Sequence, residues 1–154
     1  MFLAIEVRPV PGIYHGSDQH VIDPKGRLNI PARHRRTASQ FGTKLFIMPW
    51  LGDFLMILDV EGFRVLSERI RSSGSAEKVE ALERDIFPSV SEVEPDDQGR
   101  VVIPERLRQE VGIERDVAVL GVNNRLELWN PDRLAAHRAA SSLSRSERAK
   151  GLLI

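Results

Sequence analysis

Fourteen residues near the start of the chain recur, without a gap, 73 positions later. Asp23-Pro-Lys-Gly-Arg-Leu-Asn-Ile-Pro-Ala-Arg-His-Arg-Arg36 lies over Asp96-Asp-Gln-Gly-Arg-Val-Val-Ile-Pro-Glu-Arg-Leu-Arg-Gln109, with seven of the fourteen positions identical. Two unbiased windows do not agree to this degree by chance, so the 154-residue chain is a duplication of one small unit. Units of half this length bury little surface alone. The copies are therefore expected to share a core or to lean on an oligomer.

Local chemistry gives both copies the same plan. Asp23, Pro24 and Gly26 occupy the first, second and fourth positions favoured in a type I turn, and the second copy keeps the aspartate and the glycine as Asp96 and Gly99. Val21-Ile22 before the first turn, Leu28-Asn29-Ile30 after it and Val101-Val102-Ile103 after the second have strand composition, so each unit is expected to open with a β-hairpin. Pro31 and Pro104 then mark helix starts, because proline has its φ preset and no N–H to satisfy. These helices should run to about 40 and 111 and stop at Gly42 and Gly112.

A second hairpin closes each unit. Its strands fall at 45–48 and 54–58 in the first copy, and at 117–120 and 126–129 around Asn123-Asn124 in the second. Asp59 and Asn130 are N-caps for helices that follow, the first carrying Leu66 and Ile70 on one stripe. Between the copies, Ser72-Ser-Gly-Ser75 is a break. Residues 76–87 form an amphipathic helix with Val79, Leu82 and Ile86 on one face, stopped by Pro88. The fold class is mainly β with short helices (α+β). The expected organisation is an extension at 1–12, a first domain at 16–63, a helical connector at 64–88, a second domain at 90–134 and a helical or flexible tail at 135–154, polar and mobile over 141–150.

The formal net charge is zero, yet the charge is unevenly placed. Residues 23–36 carry five bases (Lys25, Arg27, Arg33, Arg35, Arg36) against Asp23, whereas residues 77–97 carry eight acids against Lys78 and Arg84. A neutral total thus hides a basic block and an acidic block. With no cysteine there is no disulfide framework and no thiolate metal site. The four histidines, His15, His20, His34 and His137, lack metal-ligand spacing, and no phosphate-cradling glycine loop or nucleophile elbow occurs. No enzyme activity, cofactor, metal or small-molecule substrate is expected. The first residues lack the basic leader and long apolar core of a signal peptide, and no apolar stretch reaches bilayer length, so no membrane partner and a cytoplasmic location are expected.

With the repeat laid out, the sequence resembles the MraZ family of bacterial transcriptional regulators, whose halves are SpoVT-AbrB-like DNA-binding domains. The resemblance runs from about residue 16 to about 134. It is carried by Asp23-x-x-x-Arg27 with Ile30-Pro31, by Asp96-x-x-x-Arg100 with Ile103-Pro104, and by Gly121-Val-Asn-Asn-Arg-Leu-Glu-Leu-Trp129. It implies an AbrB-like double-split β-barrel built from two tandem pseudo-symmetric repeats, with flanking helices. It also implies a homo-oligomeric ring, association with the nucleoid, and binding to double-stranded promoter DNA at repeated boxes, as a repressor of its own cell-division and cell-wall operon. Three departures stand out. Tyr14-His15-Gly16 lines up with the start usual in the family, Gln98 replaces Lys25, and His34 stands where a larger apolar or aromatic residue is expected.

On that reading Arg27 and Arg100, just past their turns, can each bond guanine O6 and N7 together. Lys25 at a turn tip suits a phosphate, and Arg33, Arg35 and Arg36 on the first helix can add phosphate contacts. Asp23 and Asp96 would repel DNA and are assigned to turn structure with Gly26 and Gly99, accepting backbone N–H bonds and bracing the arginine four residues on. The alternative for Arg27 and Arg100 is a pair of surface salt bridges that only pin a turn, each contributing about 0–1 kcal/mol. Two rival functions remain: a ring-forming protein-interaction scaffold, or an antitoxin-like module without specific DNA binding. Pro9, Pro11 and Gly12 break any regular element in the extension. A chain beginning at Ile13 is therefore expected to match the full chain in melting temperature and DNA affinity, and a large loss in either would place residues 1–12 in the core.

Overall fold

Both turns form, but the strand that enters each turn does not pair with the strand that leaves it. The computed structural model describes residues 13–141 and 143–152. Strand β1 (Ser17–Val21) enters the first turn and β2 (Arg27–Asn29) leaves it; β5 (Ser91–Val93) and β6 (Arg100–Val102) do the same in the second copy. The expected opening hairpins are split between the copies. β2 pairs antiparallel with β6, Leu28 opposite Val101, to make a two-stranded ribbon. β1 instead joins β7 (Asp116–Gly121) of the second copy, and β5 joins β3 (Leu45–Trp50) of the first.

With β4 (Phe54–Leu58) and β8 (Leu126–Trp129), these strands complete an antiparallel six-stranded sheet of order β1-β7-β8-β4-β3-β5. The order is the same read from either end once each strand is exchanged for its counterpart in the other copy. A pseudo-twofold axis therefore passes between β4 and β8 and between Leu28 and Val101. This interleaving is the double-split barrel. The physical reason for the exchange is burial. An isolated two-stranded hairpin is marginal in water, whereas pairing across copies puts Leu28 and Val101 side by side in the core at 0% and 1% exposure.

The sheet is apolar on both faces, which explains why Phe54-Leu-Met-Ile-Leu58 is a continuous apolar run rather than an alternating one. Inward residues Leu45, Ile47, Leu55, Ile57, Val117, Val119, Leu126 and Leu128 pack with Leu28, Ile30, Val101, Ile103 and Leu107 in the barrel core. Short helices α1 (Ala32–Ser39) and α4 (Glu105–Glu110), each preceded by its proline at the N-cap position, add Ala38 and Leu107. Ile113 N–H to Arg108 O (2.9 Å) and Gly112 N–H to Gln109 O (3.2 Å) end α4.

The outward face holds Phe46, Met48, Phe54, Met56, Ala118 and Trp129 under Phe63, Leu66 and Ile86. Phe63 and Leu66 come from α2 (Val60–Arg71) and Ile86 from α3 (Ala76–Ile86). Phe63 stacks on Phe46 with ring centres 4.1 Å apart. Leu66, Ile70 and Ile86 are thus covered largely within the chain itself. Asp59 and Asn130 cap α2 and α5 (Pro131–Ala139) through bonds from Gly62 N–H and from Asp132 and Arg133 N–H. The polar tail carries a short helix, α6 (Arg145–Ala149), closed by a reciprocal Ser144–Glu147 capping box that the sequence reading passed over. The expected extension at 1–12 lies outside the described residues.

Polar side chains also sit inside this core. The Tyr14 hydroxyl donates to Asp59 Oδ2 at 2.6 Å, and burial with the nearby carboxylate pushes its titration well above the ordinary tyrosine range. Tyr14 also exchanges backbone bonds with Asn123 (2.7 and 2.8 Å), which ties the entry of the chain to the β7–β8 turn. His34 is buried at 2% exposure, at the position held by Leu107 in the other copy, with its ring centre 5.8 Å from that of Tyr14. Its Nε2 has no hydrogen-bond partner among the described residues. Burial, then the Arg33 charge, holds its pKa below the usual histidine value, partly offset by Asp18. Such a group folds neutral, so stability is full above the unfolded value near about 6.5 and declines as pH falls below it. The melting temperature should accordingly drop between pH 7.5 and 5.5, and His34→Leu should shrink that drop. An unchanged drop in the variant would remove His34 as its source.

Candidate nucleic-acid interface

The two turns are built alike to the level of single atoms. Asp23 Oδ1 accepts the Lys25 and Arg27 backbone N–H groups at 2.9 Å each, and Asp23 Oδ2 accepts Arg27 Nε–H at 2.6 Å. Asp96 Oδ1 accepts from Gln98 N–H at 2.9 Å and Arg100 N–H at 3.0 Å, while its Oδ2 takes Arg100 Nε–H at 3.0 Å. Gly26 and Gly99 close the turns with φ of +80° and +79°, a conformation that costs glycine little and a side chain more. Each aspartate thus fixes both the loop and the arginine that leaves it.

The bonds to the arginines go through Nε alone. No protein hydrogen bond occupies the Nη groups of Arg27 or Arg100 among the described residues. In the ribbon, Arg27 lies opposite Val102 and Arg100 opposite Asn29, and since Leu28 and Val101 point into the core, these four residues share the outer face. The two arginines are diagonal neighbours, about 7–8 Å apart by sheet geometry. The turn tips differ in charge: the first exposes Pro24 and Lys25, the second Asp97 and Gln98.

The first helix distributes its arginines differently from one another. Both Nη atoms of Arg33 bond the Asp18 carboxylate, an arrangement matched in the second copy by Arg106 Nη2 on Ser91 Oγ at 3.0 Å. Arg35 bends back so that its Nε–H donates to Ile30 O at 3.0 Å, with its guanidinium against Gly99. Arg36 is exposed, and Lys25 is exposed at its turn tip. The sequence reading missed Arg108, whose Nε–H donates to Ile103 O at 3.0 Å and whose guanidinium lies against Gly26. The signal was present, because Arg108 is the repeat counterpart of Arg35. Among the described residues no acidic or histidine cluster can hold a metal ion, and no helix is long and apolar enough to cross a membrane.

The chain is a tandem-repeat, swapped-strand barrel with a symmetric pair of braced arginines on an exposed ribbon. Comparison with known proteins makes this specific. The MraZ protein family model matches the chain twice, over residues 13–85 and 86–153. A transcriptional regulator MraZ of Acetivibrio thermocellus is 33% identical over 133 residues, covering 86% of this chain and 91% of that protein. The one from Symbiobacterium thermophilum is 36% identical, covering 79% and 87%, and that of Heliobacterium modesticaldum 31%, covering 92% and 97%. The chain belongs to the MraZ family of transcriptional regulators, and the family is one of regulators rather than enzymes.

The Asp23 and Asp96 carboxyls titrate below the usual carboxylate range, chiefly because each accepts the backbone N–H of its arginine, with the side-chain bonds helping. A lowered folded value means that their contribution to stability is present above the unfolded value of about 3.9 and is lost as pH falls through the lower folded one. In an NMR titration both should have midpoints under about 3.9. Arg27→Ala should raise the Asp23 midpoint only partway, since the residue 27 N–H remains, and leave Asp96 unmoved. A full return of Asp23 to the ordinary value would show that the side-chain bond, not the turn, holds it down.

Proposed function

We propose that this regulator binds double-stranded promoter DNA by laying the β2–β6 ribbon into the major groove, with Arg27 and Arg100 reading base edges. One observation carries the reading. Two guanidinium groups share one exposed face, each held through Nε by its own aspartate while its Nη groups take no bond among the described residues. A groove about 12 Å wide admits a two-stranded ribbon, and a guanidinium so presented matches guanine O6 and N7. The turn aspartates then act as braces, and their pairing with Nε does not compete with base contact.

Lys25 supplies a phosphate contact beside Arg27, and exposed Arg36 supplies another from α1. Arg33 and Arg35 add positive potential from internally bonded positions, and Arg33 must release Asp18 before it can reach a phosphate. The second turn, with Asp97 and Gln98 at its tip, holds the backbone less strongly. The protein acts in the cytoplasm on the nucleoid, as a homo-oligomeric ring whose subunits engage repeated boxes and repress its own operon. The names of its relatives support regulation of transcription; the ring, the boxes and repression rest on the family resemblance.

Mobility shifts with DNA from upstream of the protein's own gene test the proposal. Arg27→Ala should abolish most specific binding while the oligomer and melting temperature stay nearly unchanged. A guanine contact is worth about 1–3 kcal/mol, and a multivalent assembly loses that amount at every subunit. Arg100→Ala should weaken binding less. Lys25→Ala should lower affinity for all sequences alike and flatten the salt dependence by about one unit of slope. Melting of Arg27→Ala with binding spared in the folded remainder would instead leave Arg27 as a turn pin, and absence of any salt-sensitive shift would favour a scaffold or antitoxin-like role.

A further inference from the structure

Arg35 and Arg108 do not serve the turns of their own copies. Arg35, on α1 of the first copy, lies so close to Gly99 of the second that a Cβ there would stand 2.5 Å from its Cζ and Nε. Arg108, on α4 of the second copy, covers Gly26 of the first, where a Cβ would meet its Nη2 at 3.1 Å and Ile103 O at 3.3 Å. Each arginine is itself held by an Nε–H bond to a backbone carbonyl, Ile30 O and Ile103 O respectively, at 3.0 Å. The same two isoleucines reach across in return. Ile30 N–H donates to Gly99 O at 3.0 Å and Ile103 N–H to Gly26 O at 2.8 Å. On each side the order in space is helix arginine, isoleucine backbone of the same copy, and turn glycine of the other copy.

Both contacts fall on the residue immediately before a ribbon arginine, Gly26 before Arg27 and Gly99 before Arg100. A glycine at positive φ is the softest point of such a turn, and a planar guanidinium packed on it removes that freedom. We propose that Arg108 and Arg35 are positioning residues that cross-brace the turns. Arg108 of the second copy sets the aim of Arg27, and Arg35 of the first copy sets the aim of Arg100. The functional consequence rests on the DNA reading above; the bracing itself does not. Packed on a turn glycine of the other copy, each of these guanidinium groups acts through the turn.

Amide hydrogen exchange on the full chain separates the two copies. Arg108→Ala should speed exchange at Gly26 about tenfold and leave Gly99 unchanged, the loss expected for one backbone bond from a charged donor. Arg35→Ala should do the reverse. The lysine variants keep stem and charge but cannot lay a planar fork over the glycine, so they should give the same crossed pattern and carry the comparison if alanine prevents folding. Equal acceleration at both turns, or none at either, would overturn the bracing. In binding assays Arg108→Ala should cut the preference for promoter over unrelated duplex about tenfold with the salt slope unchanged. A slope lower by about one with preference retained would make Arg108 a phosphate contact and sink its positioning role. Intact binding by Arg27→Ala would overturn the DNA reading while the exchange result still decides the bracing.

Discussion

The pairing of β2 with β6 across Leu28 and Val101 is the contact on which everything else hangs. Those two side chains close the barrel from the ribbon side, and deleting most of either leaves a cavity whose cost is about 2–5 kcal/mol for a leucine of this burial. Because the ribbon takes one strand from each copy, β1 and β5 are freed from their turns and must find other edges. They find them in the opposite copies, beside β7 and β3. Neither half can then complete its own sheet. The two copies share one core, as units this short require, and the fused chain removes the entropy of bringing two partners together.

The same pairing organises the binding face. Alternation in a strand sends neighbours to opposite sides, so burying Leu28 and Val101 forces Arg27, Asn29, Arg100 and Val102 outward. The exposed valine and asparagine cost little on such a surface. The arginines would be disordered there without Asp23 and Asp96, whose carboxylates hold each Nε while spending their other oxygen on the turn. On the proposed DNA reading, stability and recognition use different nitrogens of the same guanidinium.

Much of this was legible in residue order. The repeat, the turn chemistry of Asp23 to Gly26, the N-caps Asp59 and Asn130, the strands at 54–58 and 126–129 and the helix after Ser75 all depend on neighbours within a few positions. The exchange of strands does not. Val21-Ile22 and Leu28-Asn29-Ile30 carry the same local pattern whether they fold on each other or reach across, and only the competition for core space decides. Arg35 is a similar case: its charge suggests a phosphate contact, and its packing on Gly99 depends on where the other copy's turn lies. His34 stood out as a departure in the first helix, and its burial beside Tyr14 follows from the Leu107 position it shares by repeat.

The two turns share every bond yet not their tips. A barrel assembled from two identical chains has to accept each substitution twice, so its face reads the same from either end. Fusion lifts that restriction. Lys25 in one turn and Asp97 with Gln98 in the other give the ribbon a front and a back, and on the proposed reading a duplex lying along it would meet attraction at one end and repulsion at the other. A nearly palindromic scaffold has thereby acquired polarity, the property a protein needs to distinguish the direction of a site from its mirror arrangement.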